Sequence, residues 1–210
     1  MKAEAVLARV NDIIMITDAN TNTAFELQKF TKELEEQVRR EYAASTGKAN
    51  CARAMREILK VAKTECPSVA LHYAWIDSEG RQCVCDGYRW VRLKNPVPLE
   101  ERPEDAGTPM NLDKIVPDVR YDYSTIPLPT RAVLKALIAT EKALHGRKYE
   151  PIWYVVDEKV AVNAQYLLTL IEALPDAAEI YYNNTRDGWK NPLYIQSVSG
   201  DAVLLPVNIY

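Results

Sequence analysis

The chain has 210 residues, 48% hydrophobic and 26% charged, with a formal charge of −3 at pH 7. That composition belongs to globular proteins and leaves room for one large domain or two small ones. No run of eighteen apolar residues occurs, so no membrane-spanning helix is expected. A net charge this small selects no class of partner, and any charged surface must arise by local segregation.

In chain order, Met1 to Asn22 mixes charged and apolar residues without the apolar core of a signal peptide, which predicts a cytoplasmic protein. Val10–Thr17 fits either a strand or a helix tail. Thr23-Ala-Phe-Glu26 has the capping-box pattern, in which each side chain satisfies an orphan backbone donor, and predicts a helix to about Ala44. Its seam, Leu27, Phe30, Leu34, Val38 and Tyr42, is narrow. A narrow seam suits a helix lying on its own domain or pairing with another helix. Residues 1–46 therefore read as a helical extension of a domain spanning 47–210.

Gly47 breaks the chain before a second helix, Ala49 to Glu65. Cys51, Met55, Ile58, Leu59 and Ala62 make its apolar side. Arg53, Arg56, Lys60 and Lys63 form a basic stripe opposite. Pro67 ends the helix. Strands are predicted at Val69–Ile76 and Arg81–Leu93, joined through the turn Asp77-Ser-Glu-Gly80. Asp86-Gly87 interrupts the second strand and predicts a bulge or a tight bend. The four cysteines, Cys51, Cys66, Cys83 and Cys85, lack zinc-knuckle or redox spacing and read as buried reduced thiols. With two histidines in the chain, no structural metal site is expected.

Seven of the twelve prolines lie between Pro96 and Pro129. Proline interrupts hydrogen-bond ladders, so residues 96–126 read as an extended connection between two halves, 47–95 and 127–210. Pro129 opens a third helix that Gly146 ends, with Val133, Leu134, Leu137 and Leu144 on its apolar face. Arg131, Lys135 and Lys142 cluster on another side, followed by Arg147 and Lys148. Strands Ile152–Val156 and Lys159–Val162 turn at Asp157-Glu158. Asn163 then caps a helix to about Leu174, with Leu167, Leu170, Ile171 and Leu174 at helical spacing, and Pro175 stops it. Three short strands follow, Glu179–Tyr182, Leu193–Val198 and Ala202–Val207, separated by Asn183-Asn184, Asp187-Gly188 and Ser199-Gly200-Asp201.

The expected fold is α+β, with helix followed by strands three times over. Two of the three helices carry basic stripes in an acidic protein. Segregated lysine and arginine neutralise phosphates without reading bases, so Arg53, Arg56, Lys60, Lys63, Arg131, Lys135 and Lys142 are candidate contacts to duplex DNA. A solvated helix face gives the same pattern. No phosphate loop, nucleophile elbow or metal cluster is present, and Asp86, Asp118 and Asp122 stand alone as carboxylates, so no enzymatic activity and no cofactor are expected. His72, amid apolar residues, reads as a packed side chain.

Cys85-Asp86-Gly87-Tyr88-Arg89-Trp90 resembles the Thr-Asp-Gly-His-Arg-Leu motif of the bacterial sliding clamp, the β subunit of the replicative polymerase. Leu204-Leu205-Pro206-Val207-Asn208 resembles the clamp's Met-Pro-Met-Arg-Leu terminus, and Val160–Leu174 is similar to a clamp segment entering a helix. The resemblance covers about residues 48–210. It implies paired β-α-β-β-β units, with helices lining a DNA hole on one side of antiparallel sheets. It also implies a pocket for short peptides of polymerases and other replication proteins, in which Cys85, Tyr88 and Trp90 take the threonine, histidine and leucine places and Leu205, Pro206 and Val207 the Met-Pro-Met places. The chain departs from the family in having room for about one domain where the clamp has three. Asn208 stands in the arginine place, and Tyr210 is added. A closed ring would require a homo-oligomer of so short a chain.

Two expectations follow. One is a non-catalytic clamp-like protein of phage or mobile-element type that binds DNA and proteins. The other is a protein-interaction module that keeps the fold but no longer encircles DNA.

Overall fold

The computed structural model describes residues 3–16, 22–145, 151–158, 160–185 and 190–207. The expectations for Thr17, Gly146, Arg147, Lys148, Lys159, the Asp187-Gly188 turn, Asn208 and Tyr210 lie outside the described residues. The fold is α+β. Its helices are α1 (Ala3–Ile16), α2 (Asn22–Ser45), α3 (Ala49–Glu65), α4 (Arg131–His145) and α5 (Ala164–Ala173). Strands β1 (Trp75–Ile76), β2 (Gln82–Cys85), β3 (Arg89–Leu93), β4 (Tyr123–Pro127), β7 (Glu179–Asn183), β8 (Leu193–Gln196) and β9 (Gly200–Leu204) form one antiparallel sheet, ordered β1-β2-β3-β9-β8-β7-β4; β5 (Trp153–Asp157) and β6 (Val160–Asn163) pair separately.

The strand order contains an internal symmetry. Helix α3 precedes the meander β1-β2-β3, helix α5 precedes the meander β7-β8-β9, and the two meanders join edge to edge where β3 pairs with β9. The organisation is thus a repeat of two units rather than three; α4, β4 and the β5–β6 hairpin are additions to the second. Helix α5 packs against both α3 and α4, the two helices with the basic stripes.

Alternation along the strands divides the interior into two layers. Val84, Val91, Leu93, Ile180, Leu193, Ile195, Ala202 and Leu204 face the helices and meet Met55, Ile58, Leu134, Leu167 and Leu170. Trp75, Cys83, Cys85, Trp90, Tyr194 and Val203 face the other way and meet Leu71 and Leu112. Each fully buried large side chain contributes about 1.5–3 kcal/mol, which is why short strands that would not hold alone persist here. Asn163 caps α5 as expected, its Oδ1 accepting from the amides of Gln165 at 2.9 Å and Tyr166 at 3.3 Å.

The local chemistry revised several boundaries. Residues 69–72 form a 3-10 turn and only Trp75–Ile76 pair as a strand. After Pro67 the Leu71 amide closes onto Ser68 O at 3.1 Å, and His72 Nε2 bonds Cys66 O at 2.9 Å, which coils the segment before it can extend. Asp86-Gly87 is a tight bend, not a bulge: β2 and β3 pair directly, with Cys85 opposite Trp90. Of the connection 96–126, the last residues belong to β4, which tolerates Pro127 because it is an edge strand. Gly200, expected in a turn, opens β9, and a Cβ there would stand 2.0 Å from Arg92 O. The N-terminal segment is helical, and α1 packs on α2.

Candidate functional site

The Asp86-Gly87-Tyr88-Arg89 turn is held from inside. The Asp86 carboxylate is buried and accepts from the amides of Tyr88 and Arg89, both at 3.0 Å, and from Arg89 Nε at 2.9 Å. Gly87 has φ +87°, a conformation open to glycine at no steric cost. The Arg89 guanidinium lies 4.1 Å from the centre of the Tyr166 ring on α5. Burial pulls the Arg89 pKa down, while Asp86 opposes that shift. This turn tilts Tyr88 outward, half-exposed, beside the Tyr166 ring at 5.9 Å.

Beyond the turn, the sheet face away from the helices carries a groove of about 730 Å³. Cys85, Trp90 and Val203 form its sheet side; Tyr88, Leu205 and Ile115 are exposed at its rim. Residues of the proline-rich connection form the other wall, including Met110, Pro117 and Tyr121. The main chain itself joins the two distant stretches, since Leu205 N donates to Tyr88 O at 2.8 Å. Of the six pocket residues suggested by the resemblance, Cys85, Tyr88, Trp90 and Leu205 line this groove. Pro206 and Val207 do not: Val207 N donates to Ala161 O at 2.8 Å, so the chain there turns to β6.

The connection is fixed to the sheet by a chain of charges. Arg92 bonds Asp201 through Nε at 2.9 Å and also bonds Asp113 of the connection, which in turn accepts from Arg81 at 3.1 Å. Burial opposes charge on Arg92, but the two carboxylates prevail and raise its pKa. Tyr194 donates to Asp201 at 3.0 Å; burial and that carboxylate push its hydroxyl pKa up. At the groove rim Asp118 holds Arg120, and those hydrogen bonds bring the Asp118 carboxyl to about 2.

The helix face looks different from the sequence expectation. Glu172 of α5 accepts from Arg53 at 2.9 Å and Arg131 at 2.8 Å, with Lys135 at 3.7 Å. Arg56 pairs with Glu36 at 2.9 Å and Lys63 with Glu100 at 2.9 Å. Lys60 and Lys142 are exposed. Five of the seven candidate DNA contacts thus have a carboxylate of the same chain beside them. Sequence reasoning passed over Glu172, although it is the sole charge in the apolar helix Ala164–Ala173. It also passed over the Arg92–Asp201–Asp113 tie, whose partners are far apart in sequence.

The thiols are split: Cys83 and Cys85 are buried, Cys51 and Cys66 partly so. Burial pushes Cys51 and Cys85 up to about 11 and Cys83 up to about 12, values that disfavour nucleophilic or ligating thiolates. Among the described residues no group of three His, Cys, Asp or Glu is placed to hold a metal ion, and no helix is long and apolar enough to cross a membrane. No model of a known protein family matches the chain, and no curated protein sequence matches it.

Proposed function

We propose that the chain is a non-catalytic binding module of sliding-clamp-like build, and that it captures an apolar peptide segment of a partner protein in the outer groove. The observation that carries this reading is the groove itself. It gathers Cys85, Tyr88 and Trp90 with Leu205, which lies more than a hundred positions further on, into one concave, mostly apolar surface. The symmetric pair of helix-plus-three-strand units supports the clamp-like reading, as does the position of the groove on the face opposite the helices. Peptide recognition of this type draws on apolar anchors in preformed pockets.

Leu205→Asp tests the reading. Leu205 is 45% exposed, so the substitution should leave cooperative melting nearly unchanged. Heptapeptides selected from a random displayed library against the unmodified chain should bind the variant at least about tenfold more weakly, a loss of 1.4 kcal/mol or more. Equal binding by the variant, or a variant that does not fold, refutes a peptide site at Leu205.

The second reading is sequence-independent binding of duplex DNA along the helix face, as part of a replication assembly. What favours it is the exposure of Lys60 and Lys142 on the same side of the sheet. What weighs against it is the self-pairing of Arg53, Arg56, Lys63, Arg131 and Lys135. A cation already neutralised by a carboxylate gains less from a phosphate, because it must first give up its own partner.

A further inference from the structure

We propose that the free edge of β4 is the second half of the ligand site: a partner segment leaves the outer groove at Tyr123 and continues along β4 as an added antiparallel strand. This rests on the peptide-groove reading above and adds the main-chain contacts that set the ligand's direction and register.

The direction of each main-chain group of β4 follows from its bonds to β7. Leu128 N donates to Ala178 O at 2.8 Å, and Asn184 N donates to Asp122 O at 3.0 Å. Both bonds fall in the register that sets Ser124 against Tyr182 and Ile126 against Ile180. Hydrogen-bonded pairs alternate along antiparallel strands, so Ser124 and Ile126 bond β7, while Tyr123, Thr125 and Pro127 turn their main-chain groups away from it. β4 ends the sheet, and among the described residues no main-chain group bonds these outward ones. Thr125 and Pro127 are exposed.

Natural edge strands are shortened, bulged or charged against unwanted pairing. β1 is two residues long, and the β5–β6 pairing is irregular between Val155 and Asp157. β4 has neither device and no charge, and its five residues pair with β7 without interruption. It also starts where the groove ends. Tyr121, Asp122 and Tyr123 line the groove, whereas Ile126 packs on the helix-side core, so alternation puts Tyr123 and Thr125 on the face of the groove.

Charge and proline select the occupant. Of the charges lining the groove, Arg89 is held by Asp86 and Asp118 by Arg120, which leaves Lys114 and Asp122, one of each sign. An uncharged, extended segment matches that balance and the neutral strand. A second copy of β4 fits less well. Paired around Thr125, each copy would set Pro127, which has no N–H, against Tyr123 of the other and lose a hydrogen bond at both ends; a proline-free segment loses it at one end only. Antiparallel addition continues the pattern of the sheet. It directs the segment's C-terminal half into the groove, because β4 runs away from the groove.

The test uses the whole chain and two capped peptides at millimolar concentration: Ac-Leu-Ala-Leu-NH2 for the groove alone, and Ac-Ser-Val-Thr-Val-Leu-Ala-Leu-NH2 for groove and edge. Hydrogen exchange of the Thr125 amide should slow at least about tenfold with the heptapeptide and stay unchanged with the tripeptide. Single N-methyl groups moved along Val-Thr-Val should cost about tenfold in affinity where the N–H faces β4 and nothing at the alternate positions. Thr125→Pro removes an outward N–H without touching a bond to β7; it should weaken the heptapeptide about tenfold and leave the tripeptide unaffected. If signals of Tyr88 and Leu205 shift but Thr125 exchange stays fast, or the N-methyl costs do not alternate, strand addition is overturned and the groove reading stands. If the chain without peptide sediments as a dimer with the Thr125 amide already protected, the edge belongs to a second copy and the inference is overturned. If neither peptide moves a groove signal, the inference falls together with the proposed function. Should Thr125→Pro fail to fold, the exchange and N-methyl measurements on the unmodified chain decide alone.

Discussion

Removing the Asp86 carboxylate should be among the most damaging single changes to the site. Asp86→Ala deletes the acceptor of three hydrogen bonds, two from main-chain amides of the turn and one from Arg89. The Tyr88 amide belongs to a half-exposed residue and can recruit water, so its loss is worth about 0.5–1.5 kcal/mol, whereas the Arg89 amide is buried and costs about 1–3 kcal/mol when left unpaired. Arg89 cannot recruit water so easily, because its side chain is 2% exposed. It would keep only its bond to Tyr166 O at 3.3 Å and the stacking on that ring. Leaving one member of a buried pair uncompensated costs about 3–5 kcal/mol. The sum is a large part of the 5–15 kcal/mol that a domain of this kind has in total. Urea unfolding followed by far-ultraviolet dichroism should therefore show the midpoint of Asp86→Ala far below that of the parent, with an unchanged slope. The decisive comparison is with Arg89→Met and the double variant. If the cost is the orphaned guanidinium, Asp86→Ala combined with Arg89→Met should be less destabilised than Asp86→Ala alone. A double variant less stable than either single change would refute the reasoning. So would an Asp86→Ala variant within about 1 kcal/mol of the parent, the range of ordinary surface changes.

Two further variants give three expected outcomes. Glu172→Gln should release Arg53, Arg131 and Lys135 and raise affinity for duplex DNA at low salt in a filter or anisotropy assay, while lowering stability; unchanged affinity would mean that the helix face is not a DNA surface. The same variant carries a pH signature: burial raises the Glu172 pKa, but the Arg131 and Arg53 hydrogen bonds outweigh it and hold the carboxyl below 4.5. Its contribution is present above the unfolded value and lost as pH falls through the lower folded one, so parent and variant should converge in stability in acid and separate toward neutrality. Gly200→Ala should cost about 1–3 kcal/mol or more in thermal or urea unfolding, since the added carbon meets the Arg92 carbonyl rather than a movable side chain; a neutral result would mean that β3 and β9 can part locally.

What was legible in the sequence was whatever one element determines by itself. The periodicity of Met55, Ile58 and Leu59 and of Leu167, Leu170 and Leu174 depends on the helix alone, and those residues are in the core. The Asn163 cap is equally local. The hairpin at Asp77–Gly80 follows from turn chemistry within four residues, and Asp77 there accepts from Glu79 N and Arg81 N, both at 2.9 Å. What was not legible depends on partners distant in the chain. Val69–Ile76 has strand composition, but His72 and Ser68 close a turn with their neighbours and override it. Residues 96–126 look structureless by proline content. They are nevertheless ordered against the sheet, because Gln82 exchanges hydrogen bonds with both backbone groups of Val97, at 2.9 and 2.8 Å, and Arg92 bonds Asp113. Of the pocket, the turn residues were identified through their motif, whereas the connection that forms the second wall carries no motif.

The contrast between the two faces of the sheet decides how the charges should be understood. A stripe such as Arg53, Arg56, Lys60 and Lys63 records spacing on one helix and is blind to what lies across from it. Glu36 precedes α3 on α2, Glu100 follows it in the connection, and Glu172 comes from α5, so each arrives from a different element and cancels part of the stripe only after folding. Glu172 bridges Arg53 of the first unit to Arg131 beside the second, which makes the basic residues a cross-brace between α3, α5 and α4. A brace holds the helix layer in register, and the helix layer in turn holds β3 against β9 through Val91, Leu167 and Leu204. That pairing sets the separation of Tyr88 and Leu205 at the groove. The charged face thus works as the support of the apolar one, and changes to the brace should reach the proposed peptide binding through the sheet rather than through direct contact.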